Sequence, residues 1–187
     1  MVTAAALPWG AGRRRPARDG TLEFMRLLLF YLVLVIAQGF LAALMTPLPT
    51  PDLFMIAVLT LLWRIQPWQL VLLAYAVGLL QDLMGAGVLG VHAFALAGAA
   101  LAASIVRAQL TQSGVFERGL VILAAEAGKW VVLVPLLLWL TGSAESLVRV
   151  GAVAAVESVL TVAAGLLLLP WGAALLQRSR LLRKELL

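Results

Sequence analysis

Apolar runs of about 20 residues recur along this chain between Leu27 and Trp171. An α-helix needs a run of that length to cross about 30 Å of hydrocarbon. Charged residues make up 12% of the chain, about half of the share in a typical soluble domain. The sequence therefore predicts an all-α fold, a polytopic bundle of transmembrane helices that forms one domain.

The breaks between the apolar runs predict six transmembrane helices. Prolines between Pro47 and Pro51 end the first helix, because proline lacks an amide hydrogen and disfavours helix in the residue before it. A turn at Pro67 divides the next run, since one continuous helix would place Arg64 at mid-membrane. The short second helix either uses length from the proline-rich approach or does not cross squarely. The predicted helices cover residues 26–45, 51–64, 67–82, 91–107, 119–140 and 150–171.

The distribution of arginine and lysine predicts the orientation. Six crossings place both basic ends and the loops at Arg64 and at residues 107–118 on one side, and leave Arg149 in a loop on the other side. Because basic loops stay cytoplasmic, both termini are expected in the cytoplasm. The formal charge of +5 thus concerns orientation and does not indicate nucleic-acid binding. The predicted parts are a disordered basic tail (1–25), the transmembrane domain (26–172) and a basic cytoplasmic tail (173–187).

Several chemistries are excluded by composition or by context. The chain has no cysteine and one histidine, which excludes disulfides, thiol nucleophiles and Cys/His zinc sites. Gly85-Ala-Gly-Val-Leu-Gly90 matches the dinucleotide-binding fingerprint, but no strand or βαβ unit accompanies it. We therefore expect a tight extracytoplasmic connection between helices 3 and 4 at these glycines. No catalytic residue, cofactor or metal site is predicted.

A polar cluster is predicted at the outer ends of the helices. Asp82 follows Gly78 by one turn near the end of helix 3, and His92 opens helix 4. Either these side chains hold helix ends together or contact a partner, or they face water at the interface. The candidate residues are Asp52, Gln81, Asp82, Gly85, Gly87, Gly90 and His92.

Three charged residues fall inside predicted spans, where charge is costly and often functional. Glu126 and Lys129 are three residues apart on helix 5, so they share a face and are expected to pair, with Glu157 of helix 6 joining them. A proton or ion relay and the docking of a partner helix are the alternatives. Small residues in helices 4 and 6 permit close packing, either within the bundle or with another protein.

Three segments together resemble a known family. They are Pro49-Thr-Pro-Asp-Leu53, Gly78-Leu-Leu-Gln-Asp-Leu83 and Gly87-Val-Leu-Gly-Val-His-Ala93. In this combination they resemble the bacterial rod shape-determining protein MreD, over roughly residues 47–107. The resemblance implies a non-enzymatic scaffold in the bacterial cytoplasmic membrane that binds the bitopic protein MreC. Through MreC it would reach the actin-like MreB filament and the peptidoglycan synthases of the Rod complex.

The family is also similar in architecture to the substrate-binding subunits (S components) of energy-coupling-factor transporters. The alternative function is therefore a small-molecule-binding membrane subunit of such a transporter. That alternative predicts an outward-facing cavity lined by polar and aromatic groups. Fold likeness alone does not carry function, so a bound ligand would be needed to support it.

Overall fold

The computed structural model describes residues 18–45, 48–85, 88–110, 114–142 and 145–184. Within these ranges every regular element is an α-helix, so the predicted all-α class is confirmed. The described residues form six helices, the number that the sequence predicts. They are α1 (Arg18–Met45), α2 (Leu53–Thr60), α3 (Pro67–Met84), α4 (Val91–Gln109), α5 (Val115–Thr141) and α6 (Glu145–Lys184).

In the described part of the chain, four helices are long and apolar enough to cross a membrane: α3, α4, α5 and the Val150–Gly172 part of α6. The apolar part of α1, Leu29–Met45, is somewhat shorter, about 25 Å at 1.5 Å per residue. Large apolar side chains cover the outside of these helices, as expected where the surrounding solvent is hydrocarbon. The predicted polytopic helical bundle is confirmed.

The chain between α1 and α3 follows a broken path through the bundle, and we call Leu48–Leu62 the broken crossing. Its first part, Leu48–Asp52, is irregular, and α2 then contributes eight residues, or about 12 Å of helix. Residues 51–60 are all buried. Irregular backbone is tolerated at membrane depth when protein surrounds it, because other groups then satisfy its N–H and C=O groups.

Contacts at its two ends show how far the broken crossing reaches. Near its start, the side chain of Gln38 contacts Thr50 and the amide of Leu53. Gln38 lies about two turns, or roughly 10 Å, before the end of α1. At the other end, the carbonyl oxygen of Leu62 accepts a hydrogen bond from Arg107, near the C-terminus of α4. The segment thus extends from the Gln38 level of α1 to the C-terminal end of α4. That it uses length from the proline-rich approach to cross the membrane stays a prediction.

Glycines allow close contact among α3, α4 and α5. A Cβ atom at Gly78 would lie 2.5 Å from the Cα atom of Ala93, so α3 and α4 meet backbone to backbone there. A Cβ at Gly128 would lie 2.6 Å from the carbonyl oxygen of Gly98 and 2.5 Å from Cβ of Ala102. The small residues of α4 therefore serve packing inside this chain's own bundle.

Three helices extend at least four residues beyond the predicted limits, and α3 and α4 each extend two residues further than predicted. Residues 18–25, predicted as part of a disordered tail, belong to α1, whereas residues 1–17 of that tail lie outside the described residues. At its N-terminus, α5 begins at Val115 instead of residue 119. Past Pro170, α6 continues to Lys184 through the predicted C-terminal tail. Hydropathy marks where an apolar run ends, but polar stretches rich in Leu, Arg, Gln and Lys still favour helix.

Candidate functional site

The polar residues predicted to form one outer cluster form two separate sites. Asp82 and His92 meet at the connection between α3 and α4. Asp52 instead lies against α5 and α6, where it meets Lys129 and Thr161. Among the described residues no hydrogen bond or ion pair joins Asp52 directly to Asp82, although His92 lies within electrostatic range of Asp52. Asp52 begins α2 and contacts α5 and α6, whereas Asp82 lies in the last turn of α3 and contacts the start of α4.

Asp82 caps the N-terminus of α4 from a neighbouring helix. Its carboxylate accepts hydrogen bonds from the backbone amides of Gly90, His92 and Ala93, at 2.8, 3.0 and 3.2 Å. It also lies 2.7 Å from Nδ1 of the His92 ring, which donates to it. The first amides of a helix have no partner within the helix, and a negative charge there is favourable. Asp82, which is buried, thus supplies the cap that Gly90, lacking a side chain, does not.

Backbone geometry explains two of the glycines in this region. Gly90 has φ of +98°, a left-handed conformation that favours glycine. Gly78 lies where the backbone of α4 leaves no room for a Cβ atom. Gly85 ends α3 with an ordinary φ of −88° and is exposed, so neither reason applies to it. Gly87 lies outside the described residues.

Gln81 takes no part in the hydrogen bonds that the Asp82 carboxylate accepts. Its side chain is partly buried, and Oε1 has no hydrogen-bond partner among the described residues. Gln81 is adjacent to Asp82 in sequence, but neighbouring residues on a helix point about 100° apart. Proximity along the chain therefore did not bring it to the same site.

A second polar site, the Lys129 cluster, consists of Asp52, Glu126, Lys129 and Glu157. Nζ of Lys129 lies 2.6 Å from Oδ2 of Asp52 and 2.5 Å from Oε1 of Glu157. Lys129 and Asp52 are almost completely buried. One ammonium group thereby joins the start of α2 to both α5 and α6.

Glu126 and Lys129 form no direct ion pair, although the lysine charge still acts on Glu126 and both residues belong to the cluster. Oε2 of Glu126 accepts hydrogen bonds from Nε1 of Trp130 at 3.2 Å and from Oγ of Ser158 at 3.1 Å. Spacing of three residues places Glu126 and Lys129 on one face, but the long lysine side chain reaches the more distant carboxylates. The predicted participation of Glu157 is found, because it pairs with Lys129.

Two residues outside the sequence-predicted candidates, Gln38 and Thr161, hold the start of α2 in place. Thr161 accepts a hydrogen bond from the Asp52 amide at 3.0 Å, and Oε1 of Gln38 accepts one from the Leu53 amide at 3.0 Å. Asp52 itself caps the amide of Met55 at 2.9 Å. Gln38 is a polar residue inside an apolar run, and Thr161 lies one turn after Glu157. These two sequence positions were the features from which a role for Gln38 and Thr161 could have been predicted.

Hydrogen bonds from the chain itself occupy the carboxylates of Asp82 and Asp52. The Asp82 carboxylate accepts from three amides and one imidazole, and the Asp52 carboxylate from an ammonium and an amide. In the described ranges, no group of three or more His, Asp or Glu side chains is placed to hold a metal ion. The arrangement fastens helix ends and joins helices.

The helical fold and the two polar sites together define the class of protein. It is an integral membrane protein in which buried charged side chains join the helices of a bundle. A sequence model of the family described as "rod shape-determining protein MreD" matches residues 19–179. This chain therefore belongs to the MreD family, which has a role in rod shape determination within a membrane complex. Separate comparisons with curated proteins and with solved structures found no match.

Proposed function

We propose that this chain is a non-enzymatic scaffold of the cell-elongation machinery that binds an MreC-like single-span protein in the bacterial cytoplasmic membrane. Membership of the MreD family over residues 19–179 is the observation that supports it most. The use of buried polar groups for internal fastening agrees with a structural role. Through this partner the scaffold would act with the actin-like MreB filament and the peptidoglycan synthases.

The exposed side of α1 is the proposed contact surface for the partner helix. Among the described elements, α1 packs chiefly on α2, and its outer side is lined by large apolar residues such as Ile36 and Phe40. In the same stretch, no described heavy atom lies within 4 Å of a Cβ built at Gly39, and Ala43 is exposed four residues later. Small residues at this spacing let a second helix approach closely.

Co-purification in mild detergent followed by mass spectrometry tests this function. Wild-type protein from membranes should recover an MreC-like protein, and recovery of no elongation component would contradict the proposal. A stoichiometric vitamin-sized molecule in the purified protein would instead support the transporter-subunit alternative.

A matched pair of variants locates the contact. Gly39→Leu fills the open position on α1 and should reduce partner recovery at least tenfold, while the bundle folds normally. Gly151→Leu is the control, because Gly151 is equally open but lies on α6, followed by exposed Ala155. Loss with Gly151→Leu alone would contradict the placement on α1, and retention with both would contradict docking at either small-residue surface.

A further inference from the structure

The Lys129 cluster contains more acidic than basic groups. Asp52, Glu126 and Glu157 contribute three carboxyl groups, whereas Lys129 contributes one ammonium. Glu126 is 2% exposed and Lys129 is 4% exposed. If all four groups were ionised, the interior of the bundle would carry two uncompensated negative charges. Such a state is costly, since moving a charge out of water costs several kcal/mol even after relaxation.

Glu126 is the carboxyl group without a cationic partner. The ammonium of Lys129 is shared by Asp52 and Glu157, at 2.6 and 2.5 Å. The donors to Glu126 are the neutral indole of Trp130 and the hydroxyl of Ser158, and both reach the same oxygen, Oε2. The other oxygen, Oε1, is buried and has no hydrogen-bond partner among the described residues.

No cation other than Lys129 is paired with the carboxyl groups of this cluster in the described residues, and His92 of α4 lies within electrostatic range of Asp52 but not in contact with Glu126. From α6 the facing titratable group is Glu157, and at the start of α2 it is Asp52, both acidic. On the α4 side the buried residues are mostly alanine, and the titratable groups of α4, His92 and Arg107, lie near its two ends. There they bond to Asp82 and to the carbonyl oxygen of Leu62.

We propose that Glu126 is a proton-binding site and that the Lys129 cluster holds one proton on this carboxyl group at neutral pH. The proton resides on Oε1, because Oε2 serves as acceptor for both donors. Neutral Glu126 reduces the excess charge of the cluster from two to one. The N-terminus of α2, which carries a partial positive charge of about one half, offsets part of the remainder at Asp52. This inference concerns the chain alone and is independent of any partner.

Infrared spectroscopy of the full chain in lipid or mild detergent tests the proposal. Wild-type protein at neutral pH should show a band from a protonated carboxyl group, and Glu126→Gln should lose it. Glu117→Gln, at the start of the same helix, should retain the band. Absence of the band from wild type, or its persistence in Glu126→Gln, would overturn the assignment.

If Glu126→Gln does not fold, a second variant tests whether Glu126 is protonated. Ser158→Ala removes one of the two donors to Oε2 without touching the charged groups. Because the carbonyl part of the protonated acid then loses a hydrogen bond, the band should shift to higher frequency. A purely structural role for an ionised Glu126 would produce no such shift, and an unchanged spectrum would contradict the proposal.

Discussion

Nζ of Lys129 lies 2.6 Å from Oδ2 of Asp52, a residue 77 positions earlier in the chain. This contact fixes the start of α2 at the level of the middle of α5. Since Glu157 pairs with the same ammonium, one lysine connects three helices. The position of the broken crossing therefore depends on a buried lysine charge, which would be energetically unfavourable in the membrane interior without its acidic partners.

Replacing Lys129 with methionine should destabilise the bundle strongly. Removing one partner of a buried ion pair typically costs about 3–5 kcal/mol, because the remaining charges are left uncompensated. Denaturation of the purified protein in detergent measures the change. The control is Val131→Met on the same helix, whose side chain is exposed and whose replacement should change stability by no more than about 0.5 kcal/mol. Equal stability of the two variants would contradict the role assigned to Lys129.

Removal of the Asp82 carboxylate should loosen the start of α4. Asp82→Ala leaves the amides of Gly90, His92 and Ala93 without their acceptor, at a cost of about 1–3 kcal/mol. Asp82→Asn should cost less, because one acceptor oxygen remains. Hydrogen exchange at residues 90–93 should rise in the same order. Unchanged exchange in Asp82→Ala would show that the cap does not stabilise α4.

Two glycines inside helices should respond oppositely to alanine. Gly78→Ala places a methyl group 2.5 Å from backbone atoms of α4, so α3 and α4 must separate and the melting temperature should fall. Gly39→Ala meets open space among the described residues and should stabilise by roughly 0.5–1 kcal/mol through helix propensity. Thermal unfolding in detergent compares them. A fall of similar size in both variants would contradict the close contact at Gly78.

Single-cysteine labelling tests the proposed orientation, and the native chain adds no background because it has no cysteine. Leu89→Cys and Gln109→Cys place exposed thiols near the two ends of α4. A reagent that does not cross the membrane should label Leu89→Cys in intact cells, and Gln109→Cys after lysis only. The positive-inside distribution predicts this order, because Arg107 lies near the second position. The reverse pattern would contradict cytoplasmic termini.

The sequence alone was sufficient for the fold class. Hydropathy and prolines predicted six helices, and the locations of Pro47–Pro51 and Pro67 correctly separated α1, α2 and α3. The family segments predicted the membership that the family match over residues 19–179 confirms. These features can be predicted from the sequence because each is local: a helix, a helix break or a short motif depends on consecutive residues.

Which polar groups meet was decided by the tertiary structure. Glu126 is three residues from Lys129, yet the lysine pairs with Asp52, which is distant in sequence. Gly78 and Gly39 look alike in sequence, but one faces the backbone of α4 and the other faces open space. The physical reason is that the role of a buried charge, or of a glycine, depends on which groups the other helices place within a few ångströms of it. The order of residues along the chain does not specify those neighbours.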